Sequence, residues 1–108
     1  MKVSQSELNL LISEKIFGLP NLKSTLHKDY CNNIGYAWEI LEKLKENFDI
    51  QITKIGTTKS EIGWKVIMVS TNKFPNLDNI FIERKASEAI CIAALCVLTG
   101  KTYEIKKD

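Results

Sequence analysis

The segment "SEAICIAALCVLTG", residues 87–100, constrains the fold of this chain more than any other. Ala89, Ile90, Ala93, Ala94 and Val97 recur at helical spacing, yet they cover more than one face of the helix they imply. Such a helix has no wet side to present and must be the most buried element of the domain. Ala89, Ala93 and Ala94 are small enough to let a sheet approach closely, and Gly100 is placed to end the helix. The predicted span is about 87–98.

The rest of the chain must surround that helix. A capping box of Ser4 and Glu7, followed by Leu8, Leu11, Ile12 and Ile16, predicts a first helix over 4–17. Gly18 and Pro20 stop it. An irregular connection, "LPNLKSTLHKDYC", leads to a second helix over 33–46, capped by Asn32 or Asn33. Its apolar stripe reads Ile34, Ala37, Trp38, Leu41 and Leu44, with Glu39, Glu42, Lys43, Lys45 and Glu46 on the wet side.

At residue 48 the period changes from 3.6 to 2. "FDIQITKI" alternates as a half-buried strand, and "WKVIMVS" returns with Trp64, Val66 and Met68 on one face. Two such runs around "GTTKSEIG" predict an antiparallel hairpin. "TNKFPNLDN" is a polar loop, "IFIER" a short edge strand, and "KTYEIKKD" either adds a terminal strand or frays. The order α-α-β-β-β-α defines an α+β fold. We expect one domain over 1–108, a small antiparallel sheet of a hairpin plus a short edge strand, sandwiched by three helices.

Composition bounds the partners. At 108 residues, 44% hydrophobic and 26% charged, the chain is an ordinary globular domain. A net charge of +2, with acids and bases interleaved, lacks the basic stripe that nucleic-acid binding requires. No apolar run nears the roughly 20 residues of a membrane span. Glu7, Asn9 and Glu14 interrupt any signal-peptide core. Three cysteines, two of them in the apolar helix, fit a reducing compartment. These features predict a cytoplasmic location with neither nucleic acid nor membrane as partner.

Catalytic constellations are scarce. His27 and Cys31 lie four apart but lack a placed orienting residue, and a structural metal site needs more ligands than they supply. Phosphate-binding glycine loops are absent from the sequence. We therefore expect no enzyme activity, no catalytic residue, no metal and no cofactor. What remains is two helix entrances, whose free amides and partial positive charge suit anions. Tyr30, Cys31, Asn32 and Asn33 stand at one; Arg84, Lys85, Ser87 and Glu88 stand at the other. Brought together, they would offer aromatic surface, amides and two cations to a nucleotide-like ligand. The plainer alternative is that an Asn caps, Tyr30 packs and Trp38 is core.

Three blocks carry a resemblance: "LISEKIFGL", "YCNNIGYAWEILEKLKE" and "KASEAICIAALCVLTG", with "GWKVIM" between the last two. In this order they resemble the phage ABA sandwich domain family, small phage and prophage proteins named for an α-β-α sandwich. Tyr30, Ala37, Trp38 and Glu39 match that family's middle block, while Cys31, Asn32 and Asn33 replace its Ser, Thr and Asp. Ala86, Glu88, Ala89, Ile90 and Cys91 match its last block, while Lys85 and Ser87 replace its Thr and Pro. The resemblance implies an accessory protein of phage–host conflict, acting in the host cell. Sequestration of a small anionic, nucleotide-like ligand is one expected mechanism. The other is interaction with a host protein, for which Phe74 and Leu77 in the polar loop are candidates. An uncovered sheet edge leaves homo-oligomerisation open.

Overall fold

The computed structural model describes residues 1–19, 28–56, 63–71, 73 and 77–106. Strands β1 (Lys2–Val3), β2 (Phe48–Ile55), β3 (Gly63–Ser70), β4 (Ile80–Glu83) and β5 (Glu104–Ile105) accompany helices α1 (Gln5–Lys15), α2 (Ile34–Leu44) and α3 (Ala86–Thr99). A short 3-10 turn, Leu77–Asn79, precedes β4. The fold is α+β, with the expected helix-helix-strands-helix order around a three-stranded antiparallel sheet ordered β2-β3-β4.

The period-2 pattern sets the sheet's two faces. Ile50 pairs with Met68, and Ile52 with Val66, which pairs in turn with Phe81. These side chains join the core, whereas Asp49, Gln51 and Thr53 between them are exposed. Helix α3 lies against β3 and β4, and α1 and α2 pack against α3. The layers are thus sheet, then α3, then α1 with α2. Every residue of α3 from Ser87 to Leu95 is buried, as its apolar circumference requires.

Helix α1 begins as expected. The Glu7 amide donates to Ser4 Oγ at 3.1 Å and the Ser4 amide to Glu7 Oε1 at 3.4 Å, completing the capping box. Gly18 takes φ 65°, the left-handed conformation that suits glycine after a helix. Pro20 and most of the connection after it lie outside the described residues.

Helix α2 differs from expectation on one flank. Asn33 caps it, accepting the Tyr36 amide at 3.1 Å. Its buried face is Ala37, Ile40, Leu41 and Leu44, so Ile40 belongs to the core and was missing from the expected stripe. Ile34 and Trp38 do not belong: they are 53% and 54% exposed. The reason is angular. At about 100° per residue, Ile34 and Trp38 fall beyond one edge of the arc that those four residues span.

One further strand, β1, escaped the sequence pattern, and of the two readings of the tail the strand is the one that forms. The tail does form a strand, β5, and it pairs in parallel with β1, Lys2 opposite Glu104 and Val3 opposite Ile105. The Glu104 amide donates to Met1 O at 2.9 Å and the Lys106 amide to Val3 O at 2.8 Å. Tyr103 and Ile105 are buried beneath this ribbon, which ties the chain's two ends together. A two-residue strand has no period to read.

Candidate functional site at the helix entrances

The turn entering α2 packs against the first turns of α1 and α3. The Asn33 amide donates to Asp29 O at 3.1 Å, folding 29–33 into a turn. Asn9 of α1 holds that turn from below. Its Oδ1 accepts the Cys31 amide at 3.1 Å, and its Nδ2 donates to Asp29 Oδ1 at 3.0 Å. From the other side, Ser87 Oγ of α3 donates to Cys31 O at 2.6 Å. Both backbone groups of Cys31 are therefore claimed by side chains of different helices.

Asn32 is the hub of the outer layer. Its Oδ1 accepts Lys85 Nζ at 2.6 Å, and its Nδ2 donates to Gln5 Oε1 at 3.0 Å and to Asp29 Oδ2 at 3.0 Å. Gln5 Nε2 donates in turn to Glu88 Oε2 at 3.0 Å. So Cys31, Asn32, Lys85 and Ser87, drawn from the two expected entrances, do meet. Gln5, Asn9 and Asp29 complete the cluster and were not singled out from sequence. Asn9 sits on the buried side of α1, at the spacing of Ile12 and Ile16, which is the one signal that could have marked it.

Tyr30 and Cys31 face inward, which corrects the picture of an aromatic surface at the entrance. Tyr30 is 2% exposed and stacks on Phe17, with ring centroids 5.6 Å apart and planes 11° apart. Tyr36 meets it edge-on at 6.4 Å. Burial pushes the Tyr30 phenol above its ordinary pKa of 10.0. The Ser13 hydroxyl beside it pulls weakly the other way, without forming a well-shaped hydrogen bond. Because the folded pKa is raised, the associated stability is complete below pH 10 and is lost as pH climbs through the folded value. Urea titrations between pH 9 and about 11 should therefore show wild-type stability falling more steeply than that of Tyr30→Phe.

Cys31 and Cys91 are both fully buried, and Cys96 is half-buried. A hydrogen bond with Cys31, then burial, holds the Cys91 thiol well above the usual range; burial alone raises Cys96. Neither is a thiolate nucleophile at neutral pH. His27, the other half of the Cys–His pair considered from sequence, lies outside the described residues, as do Phe74 and the Leu77 side chain. Among the described residues no three His, Cys, Asp or Glu side chains gather as a metal would need.

The exposed chemistry sits at the start of α3. Its N-cap is Lys85, whose side chain makes no capping hydrogen bond. Among the described residues the amides of Ala86, Ser87 and Glu88 have no acceptor. Arg84 and Lys85 stand exposed beside them. The arrangement presents the two cations beside the start of α3, where the amides of Ser87 and Glu88 belong to buried residues.

These features belong to a known domain class. The sequence profile of the Phage ABA sandwich domain matches residues 11–95, from within α1 to within α3. The chain is a member of the Phage ABA sandwich domain family. No curated protein and no solved structure matches it. Among the described residues no helix is long and apolar enough to cross a membrane.

Proposed function

We propose that this phage-family domain is a non-enzymatic accessory protein of phage–host conflict that binds, and so sequesters, a small anionic, nucleotide-like ligand in the host cytoplasm. The observation that carries the reading is the start of α3, where Arg84 and Lys85 stand exposed beside the amides of Ala86, Ser87 and Glu88, which have no acceptor among the described residues. A phosphate group would accept from the amides and complement the helix dipole, while the guanidinium offers a bidentate contact. Asn32 fixes Lys85 from one side, and Ser87 anchors the first turn to the α2 entrance, so the site is preorganised.

Titration calorimetry with ADP-ribose, its cyclic isomers and cyclic di- and trinucleotides tests this directly. Each charge-assisted contact contributes roughly 1.5–3 kcal/mol, so Arg84→Ala or Lys85→Ala should weaken binding about 10- to 100-fold.

One observation favours a second reading, recognition of a host protein. Ile34 and Trp38 are one helical turn apart and both more than half exposed. Exposed tryptophan with an apolar neighbour is the composition of an interface centre. Under that reading Trp38→Ala abolishes activity in a phage-fitness assay while Arg84→Ala preserves it. Ligand sequestration predicts the opposite pair of results.

A further inference from the structure

Strand β2 is the longer of the two outer strands of the three-stranded sheet. Among the described residues it pairs only with β3, in unbroken register from Phe48 opposite Ser70 to Ile55 opposite Gly63. Two hydrogen bonds fix which of its backbone groups face outward. The Thr71 amide donates to Asn47 O at 3.0 Å, so by alternation Asp49, Gln51 and Thr53 exchange the ladder bonds with β3. Asn79 Nδ2 donates to Met68 O at 3.1 Å, which turns Met68, Val66 and Trp64 toward β4, as the same alternation requires. The amides and carbonyls of Phe48, Ile50, Ile52 and Lys54 therefore point away from the sheet. Neither Pro, Gly nor a bulge interrupts β2, so none of these devices blunts the edge.

The same residues carry side chains on the core-facing side. Helix α3 packs over β3 and β4, which leaves Phe48, Ile50 and Ile52 half-buried and Lys54 exposed at the rim.

We propose that two copies of this chain join β2 to β2, antiparallel about a two-fold axis at Gln51, into one continuous sheet. A second copy fits this edge because β2 complements itself. Outward groups bond only to outward groups, so the register can shift only in steps of two. Centring it at Gln51 is the choice that pairs Phe48, Ile50, Ile52 and Lys54 together, with none left over. On the core-facing side Ile50 then meets Ile52 of the second copy, and the Lys54 ammonium lies against the Phe48 ring of the second copy. On the other side the Thr53 hydroxyl donates to the Asp49 carboxylate across the axis. No like charges are set opposite each other. The pairing also covers the parts of Phe48, Ile50 and Ile52 that α3 leaves open.

Sedimentation equilibrium of the whole chain should show a dimer, and Lys54→Glu, a change at an exposed position, should weaken it several-fold. Amide exchange read residue by residue supplies the signature. Phe48, Ile50, Ile52 and Lys54 should gain protection as protein concentration rises, while Asp49, Gln51 and Thr53 are protected at every concentration. Gln51→Cys gives an independent reading. Residues facing each other in a non-hydrogen-bonded pair have Cα atoms about 4.5 Å apart, within disulfide reach. Glutathione disulfide should therefore link Gln51→Cys chains into covalent dimers. It should leave the wild type unlinked, and also Asp49→Cys, whose two copies would stand roughly 13 Å apart. A monomer mass persisting to about 1 mM would leave this edge to a strand of another protein and overturn the proposal. A dimer in which Gln51→Cys does not cross-link, or in which the β2 amides gain no alternating protection, would place the contact on another surface and overturn it equally.

Discussion

Ile40→Ala is expected to cost about 2–5 kcal/mol of stability, whereas Trp38→Ala, which removes a much larger side chain, should cost less than about 1 kcal/mol. Ile40 is fully buried between α2 and the rest of the core, so its truncation leaves a cavity that the close-packed α3 cannot collapse to fill. Trp38, 54% exposed, leaves mostly solvent behind. For a domain of this size the first variant should lose on the order of 10 °C or more in midpoint, the second only a few degrees. Urea unfolding of both variants decides it. Equal losses would mean that Trp38 is a core residue and that α2 is rotated from the orientation described here.

Asn9→Leu should be nearly as damaging, at about 2–3 kcal/mol, although it makes the helix more apolar. The substitution strips the buried Cys31 amide of its acceptor and Asp29 of a donor. An unsatisfied buried backbone group alone costs roughly 1–3 kcal/mol. Ser87→Ala, which removes one bond to Cys31 O, should cost about 1 kcal/mol. Gln5→Ala, at the exposed rim of the same cluster, should cost less still. A flat response across the three would show that the cluster does not hold the helices together. It would also remove the preorganised base from which Lys85 is presented.

The legible parts of this fold were those with a long period. The capping box of α1, the antiparallel hairpin and the core face of its first strand, marked by Phe48, Ile50 and Ile52, and the all-round burial of α3 follow from residue spacing and need no tertiary information. Rotation of α2 was not legible. Ile34, Ala37, Trp38, Ile40, Leu41 and Leu44 are all apolar over a wide arc, and only packing against α3 decides which part of it is covered. The β1–β5 ribbon was hidden because its partners are two residues long and lie at opposite ends of the chain.

The candidate site was half legible for a similar reason. Asn, Ser and Lys at helix starts can be recognised, and the structure joins Asn32 to Lys85 and Ser87 to Cys31. Whether an aromatic at such a start points outward is a tertiary matter. Tyr30 turned inward onto Phe17, so Tyr30→Ala would report on stability and not on a ligand. Asn9 and Gln5 reach the cluster from about 20 residues or more away in sequence, which no local pattern encodes.

Thermal unfolding against ADP-ribose, its cyclic isomers and cyclic di- and trinucleotides is the most direct test of a ligand site at the start of α3. A ligand present at a hundred times its dissociation constant adds about 2.7 kcal/mol. In a domain of this size that raises the midpoint by on the order of 10 °C, and the roughly 10- to 100-fold weaker binding of Arg84→Ala should cut the shift to about half or less. An unchanged midpoint across the whole panel, or a shift that is undiminished in both Arg84→Ala and Lys85→Ala, would contradict it.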